Sequence, residues 1–130
     1  MNSLDISASG MTAQRVRLDL IANNIANAET TRVAGGKPGE AYQRIVAVFQ
    51  ANEDGGVDVK DVVQDQTPGK MVYNPGHPDA SKEGYVQMPN VNAVTEMVDM
   101  VVASRAYEAN VTAINASKSM TRKALDIGKG

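Results

Sequence analysis

The chain has no cysteine and no tryptophan, and its 130 residues include one Phe, four Tyr and a single His. Without cysteine there can be no disulfide, no thiol nucleophile and no thiolate metal site. With one Phe and no Trp, the side chains that bring most apolar area to a core are scarce, so a self-sufficient globular interior would be thin. No stretch approaches the roughly 18 uninterrupted apolar residues of a membrane-spanning helix. Asp5, Thr12, Gln14, Arg15, Arg17 and Asp19 interrupt every early apolar run, so a cleaved secretory signal is not expected. Strong charge of either sign is lacking too. The formal net charge is −2, divided as −1 over residues 1–31, −2 over 32–91 and +1 over 92–130, which leaves no basic field for nucleic acid.

The signals for chemistry are equally sparse. A metal site at His77 would need carboxylates gathered round one imidazole, and Asp79 is two residues away across a proline; an exposed loop histidine is the expectation. Gly35-Gly36-Lys37 and Gly69-Lys70 lack the spacer of a phosphate loop and do not open a helix. Asn52, Asp54 and Asp58 fall at the wrong offsets for a calcium loop. The sequons at Asn110 and Asn115 lie inside a predicted helix and are read as chance. Triad residues can be dispersed, but no strained nucleophile elbow is present. No catalytic residue, cofactor or metal is therefore expected, and the chain reads as a non-enzyme.

What the sequence does contain is an amphipathic helix at each end. From about Ser3 to Thr30, Leu4, Ala8, Met11, Leu18, Ala22 and Ile25 recur in steps of three and four, interrupted by Arg15. From about Asn92 to Ile127, Ala93, Met97, Met100, Tyr107, Val111, Ile114 and Leu125 do the same, broken by Ser104, Lys118 and Thr121. Such steps keep side chains on one helix face and make a coiled-coil seam. Helices of about 28 and 35 residues would run about 42 and 52 Å, longer than a compact domain of this mass requires. Val94, Val98, Val101, Val102, Leu20 and Ile21 fall on neighbouring faces, so other subunits are the expected cover. The basic residues Lys118, Arg122, Lys123 and Lys129 stand where cations compensate the helix dipole.

Between the helices the pattern changes. Gly35-Gly36-Lys37-Pro38-Gly39 cannot continue a helix. Tyr42 to Phe49 and Val57 to Lys60 read as strands joined by the turn Asn52–Gly56, while Lys70–Tyr73 and Tyr85–Met88 flank a loop with two prolines. Asn90 or Asn92 is expected to cap the second helix. The predicted fold is mainly α with a small β module. An N-terminal helix (1–31) and a C-terminal helix (92–130) pair as an antiparallel coiled coil and form one helical domain, and a central β-rich module (32–91) carries a short-stranded hairpin and loops.

The most specific feature is Asn23-Asn24-Ile25-Ala26-Asn27, leading to Thr30-Thr31. Each asparagine costs roughly 0.6 kcal/mol against alanine inside a helix. Two explanations stand side by side: amides that hydrogen-bond across elements and fix register, or caps on a fraying last turn. This segment resembles the N-terminal signature of the bacterial flagellar axial family, the rod, hook and hook-associated proteins. Asn90-Val91-Asn92, Glu96 to Met100 and Ser104 to Asn110 are similar to the matching C-terminal signature. Val72 to Ala80 and Glu83 to Val91 resemble the proximal-rod members of that family. One departure is Arg32-Val33-Ala34, where many members place glycine after the threonines; here the turn is delayed to Gly35-Gly36.

The resemblance implies a structural rod subunit in the flagellar basal body, assembling through Leu4, Ala8, Met11, Leu18, Ala22, Asn23, Asn24, Ile25, Asn27, Met97, Met100, Tyr107, Val111, Ile114 and Leu125. It implies export through the flagellar type III apparatus, a periplasmic position, and as partners further copies of the chain, the rod proteins FlgB, FlgF and FlgG, and the adaptor FliE. A type III secreted interaction protein outside the flagellum is the alternative. It would share the helical ends but should lack the Gly76-His77-Pro78-Asp79 and Gly84-Tyr85-Val86 segments.

Overall fold

Six elements appear in the computed structural model, which describes residues 2–129: α1 (Ser3–Ala26), β1 (Ile45–Ala51), β2 (Val57–Gln64), β3 (Met71–Tyr73), β4 (Tyr85–Gln87) and α2 (Ala93–Lys129). The fold is two packed terminal helices with two small antiparallel strand pairs, β1 with β2 and β3 with β4, between them in sequence. No helix among the described residues is long and apolar enough to cross a membrane.

Both helices start on asparagine. The Asn2 side chain accepts the Asp5 N–H at 2.8 Å, and Asn92 accepts from Val94 and Thr95 at 3.1 and 3.2 Å, satisfying N–H groups that a first turn leaves unpaired. Of the two cap candidates for α2, the chain uses Asn92. Asn90 is engaged elsewhere: its Oδ1 accepts the Arg44 N–H at 2.7 Å and its Nδ2 donates to the carbonyls of Asp65 and Thr67. α1 stops four residues earlier than its pattern predicts, because Asn27 closes it, donating its backbone N–H to the carbonyls of Asn23 and Asn24 and its side-chain amide to Asn23.

The helices run antiparallel in a defined register. Ser3 meets Ser117 at 3.4 Å, Gly10 meets Asn110, and Asn24 meets Glu96 at 3.4 Å, so residue i faces residue 120 − i. A Cβ on Gly10 would lie 3.0 Å from Asn110 Oδ1, so the absence of a side chain there lets the two backbones approach closely. The delayed turn after Arg32 is ordered by Gly35, whose φ of +75° suits glycine, and by bonds from Val33 N–H to the Glu40 carbonyl and from Tyr42 N–H to the Thr30 carbonyl.

β1 begins at Ile45, three residues later than expected, because Tyr42 and Arg44 are committed to tertiary bonds. β2 continues to Gln64, past Lys60: Val48 pairs with Asp61 and Phe49 with Val59, which leaves Lys60 as the extra residue of a bulge. The Asn52–Gly56 turn forms as its sequence indicates, with Asn52 N–H bonded to the Gly56 carbonyl at 2.8 Å.

Where α1, β1 and α2 meet, one buried polar knot ties them. Asn24 is 1% exposed and uses its whole amide. Its Oδ1 accepts from the Ile45 N–H (3.0 Å) and the Tyr42 hydroxyl (2.7 Å), and its Nδ2 donates to the Ile45 carbonyl (2.9 Å) and Glu96 Oε2. Glu96, also 1% exposed, takes a charged hydrogen bond from Arg44 Nε on its other oxygen. Asp65 and Asp99 stand 3.6 and 3.9 Å from the same guanidinium. Burial works against the Arg44 charge, but these three carboxylates outweigh it and hold the group above its ordinary value. Burial likewise pushes the Tyr42 phenol up, against the lowering effect of its bond with Asn23. A second tie holds the β3–β4 loop, where Asp79 accepts from Thr31 Oγ1 at 2.6 Å and pairs with Arg32.

Asn24→Ala strands the Ile45 N–H and carbonyl, and Glu96→Ala leaves Arg44 without its closest counter-charge; each is expected to lower stability by about 2–4 kcal/mol in chemical denaturation. An effect below about 0.5 kcal/mol, the ordinary surface range, would contradict the role of the knot.

The Thr31 bond holds the Asp79 carboxyl below its usual value, against a smaller opposing effect of burial. A carboxyl lowered in the folded state stabilises above the unfolded value of about 4 and loses that contribution as pH falls through the folded value. The melting temperature should therefore drop on acidification below about pH 4, and the drop should shrink in Asp79→Asn.

Candidate assembly surface

Each terminal helix carries two stripes, and the contact between the helices uses the one made of small residues. The meeting points Ser3, Gly10 and Asn24 on α1, and Glu96, Asn110 and Ser117 on α2, are spaced in sevens and fourteens. Ala13, Ile21 and Ala103 are buried beside them, Ala103 completely. On α1 the bulky stripe predicted from the sequence lies one residue further along, a rotation of about 100°; on α2 Met97 and Val111 are shifted in the same way from Glu96 and Asn110, while Met100, Tyr107 and Ile114, four residues after Glu96, Ala103 and Asn110, border the contact. Small residues won the contact because they let the backbones come close, which a row of Leu and Met cannot do.

The predicted interface residues accordingly divide. Leu4, Met11, Leu18, Ile25, Asn27, Met100, Tyr107, Val111 and Ile114 flank the contact and are half-buried. Ala8, Ala22, Asn23, Met97 and Leu125 are exposed. Asn24 lies inside the subunit and cannot be a surface contact, since both its polar atoms bond within the chain. Ile21, expected on an outward face, is buried against the helix pair and β1. The asparagine cluster serves both functions suggested by its composition. Asn24 crosses to β1 and α2, Asn23 donates to the Tyr42 hydroxyl at 3.0 Å, and Asn27 closes the last turn while accepting from Thr30 Oγ1.

On the side of α2 turned away from this contact, Val94, Val98, Val101 and Val102 are 70, 57, 53 and 51% exposed. Met97, Met100, Val101, Ser104, Arg105 and Glu108 line a shallow groove on the same surface. A continuous apolar strip on one helix face is a feature of surfaces that bind other proteins. Sequence reasoning found these valines but ranked them beneath the predicted seam; the signal it underweighted was the run of valines itself, which helix propensity alone does not favour. His77 lies in the β3–β4 loop, where its Nδ1 accepts the Asp79 N–H at 3.0 Å, a turn-forming role. Among the described residues, no three His, Cys, Asp or Glu side chains are grouped to hold a metal.

Comparison with known proteins agrees with this anatomy. Residues 4–32 match the family described as Flagella basal body rod protein, and residues 82–127 match Flagellar basal body rod FlgEFG protein C-terminal. The two matches cover α1 and most of α2, the elements that carry both stripes. The chain is 46% identical to the flagellar basal-body rod protein FlgC of Borreliella burgdorferi, over 99% of this chain and 97% of that one. It is 44% identical to FlgC of Bacillus subtilis (98 and 97% covered) and 46% identical to FlgC of Escherichia coli O6:H1 (99 and 98% covered). A protein sharing only helical ends would not match across the β module as well. By its helices, its central strands and its near-full-length similarity, the chain belongs to the flagellar basal-body rod protein family.

Proposed function

We propose that this chain is a non-enzymatic structural subunit of the proximal rod, which joins the membrane-embedded ring to the distal rod and transmits torque. The observation that carries the proposal is the exposed valine strip of α2, held rigid by an antiparallel partner helix. A shaft needs stiff, repeated subunit contacts, and a helix pair with one apolar face inward and another outward supplies them. The perturbed side chains, Tyr42, Arg44, Asp65 and Asp79, are all engaged in internal bonds, so none is poised for proton transfer.

In this reading the outward strip and the flanking residues Leu4, Met11, Leu18, Ile25, Met100, Tyr107, Val111 and Ile114 meet further copies of the chain and neighbouring rod proteins of the FlgB, FlgF and FlgG type, with the adaptor FliE adjoining. The subunit reaches the periplasm through the flagellar export apparatus. Freedom from disulfides suits it to pass as an extended chain and fold on arrival.

Val98→Asp and Val101→Asp place a carboxylate on a surface already open in the isolated subunit, so stability should change by no more than about 0.5 kcal/mol. Desolvating that charge in an assembled interface costs several kcal/mol. In a strain lacking the gene, either variant should be produced and folded yet absent from isolated basal bodies, leaving cells non-motile. Normal recovery of both variants in basal bodies would overturn the assignment of this face.

A further inference from the structure

The two edges of the β1–β2 hairpin are not alike. At its ends, Asp65 N–H bonds the Arg44 carbonyl and Asn52 N–H bonds the Gly56 carbonyl, so Val46, Val48 and Gln50 between them also pair with β2. Ile45, Ala47, Phe49 and Ala51 therefore turn their N–H and C=O groups to the opposite edge. The Asn24 amide takes both groups of Ile45. Those of Ala47, Phe49 and Ala51 have no hydrogen-bond partner among the described residues.

The β2 edge, by contrast, is guarded. Val57 N–H donates to Ser9 Oγ at 3.1 Å, and Val62 N–H donates to the Asp61 carboxylate at 2.8 Å. Lys60 makes a bulge, and Asp58, Lys60 and Asp61 put charge along the strand. These are the devices by which proteins keep an edge from pairing. β1 has no charge, no proline and no extra residue from Ile45 to Ala51.

The open edge also has room beside it. Asn24 bonds both the Ile45 carbonyl and Glu96, so this edge is the one turned toward α2. Both strands pack on α1 and neither packs on α2. Between β1 and α2 lies a cleft of about 360 Å³, lined in part by Arg17, Leu20, Ala47, Phe49 and Asp99. Val102 follows Asp99 by three residues on the same side of α2 and is 51% exposed. Arg17 enters no ion pair among the described residues.

We infer that the open edge of β1 receives an extended peptide segment of a neighbouring rod subunit as a third strand. The added strand stands about 4.8 Å from β1 and bonds the backbone of Ala47, Phe49 and Ala51. Its alternate side chains are apolar, covering Phe49 and Val102, and one carboxylate among them meets Arg17. Main-chain bonds supply the affinity and the alternate side chains the selectivity. The inference rests on the rod-subunit reading and adds a backbone contact to the packing of helix faces.

Proline tests it, because on an outward position it removes a donor and obstructs the edge while sparing every β1–β2 bond. Ala47→Pro does this on the open edge and Gln64→Pro on the guarded one, and both purified variants are expected to melt close to wild type. In a strain lacking the gene, Ala47→Pro should lower recovery in isolated basal bodies about tenfold or more, and Gln64→Pro by less than about twofold. Arg17→Gln should lower it about threefold or more, through loss of the charged contact. Ala47→Pro recovered as well as Gln64→Pro would overturn the docking. Hydrogen exchange in the purified subunit checks the edge without any substitution: amides of Val46, Val48 and Gln50 should be protected, and those of Ala47, Phe49 and Ala51 should exchange freely. Protection of all six would show an edge already covered, and would overturn the docking as well. Absence of the unaltered chain from basal bodies would instead overturn the rod reading, and the docking with it.

Discussion

The Asn24 amide, clamped between the backbone of Ile45 and the carboxylate of Glu96, is the constraint on which the rest of the molecule depends. A chain with so few aromatic residues cannot rely on a large apolar interior to choose one arrangement of its helices. It relies on a buried polar site in which Asn24, Glu96 and Arg44 find partners from α1, α2 and the residues leading into β1. Such a site is costly in any register but one, because a slip of either helix leaves a buried amide and a buried charge unpaired. The knot also fixes where the β module attaches, since Arg44 and Ile45 enter it from the residues that lead into β1.

Once register is set at that end, the small residues further along can act. Gly10, Ala13 and Ala103 let the helices lie close, and close packing of small side chains leaves the large ones outside. This inverts the usual economy of a soluble domain, in which bulky residues are drawn inward. Here Val94, Met97, Val98 and Val101 stay open to solvent, and the subunit is stiff before it meets a neighbour. Stiffness with an uncovered apolar face is a poor design for a lone protein and a good one for a shaft.

Much of this was legible in the sequence. The existence of the two terminal helices, the Asn52–Gly56 turn and the short strands follow from caps, glycines and periodicity, which are local signals. The face used by the helix pair did not follow, because the three–four periodicity is shared by two adjacent stripes, and hydrophobicity ranks the bulky stripe first. Deciding between them requires knowing that Gly10 faces Asn110, a contact between residues a hundred positions apart. The extension of β2 beyond the Lys60 bulge and the choice of Asn92 over Asn90 as cap were hidden for the same reason: each depends on Arg44 or Asp65 arriving from elsewhere. The family resemblance carried by the asparagine cluster was readable at once, although which asparagine works inward was not.

The central claim is that the Asn24–Glu96–Arg44 knot sets the helix register, and the absence of cysteine makes it directly measurable. Ser3→Cys with Ser117→Cys places two thiols where hydroxyl oxygens lie 3.4 Å apart, within reach of a disulfide. The account predicts rapid intramolecular cross-linking in the otherwise unaltered subunit, and cross-linking slowed by about tenfold or more when Asn24→Ala and Glu96→Ala are added, because a loss of about 2–4 kcal/mol at the far end frees the helices to slip and splay. Equal cross-linking rates in the two backgrounds would contradict it, and would assign the register to the small-residue seam alone.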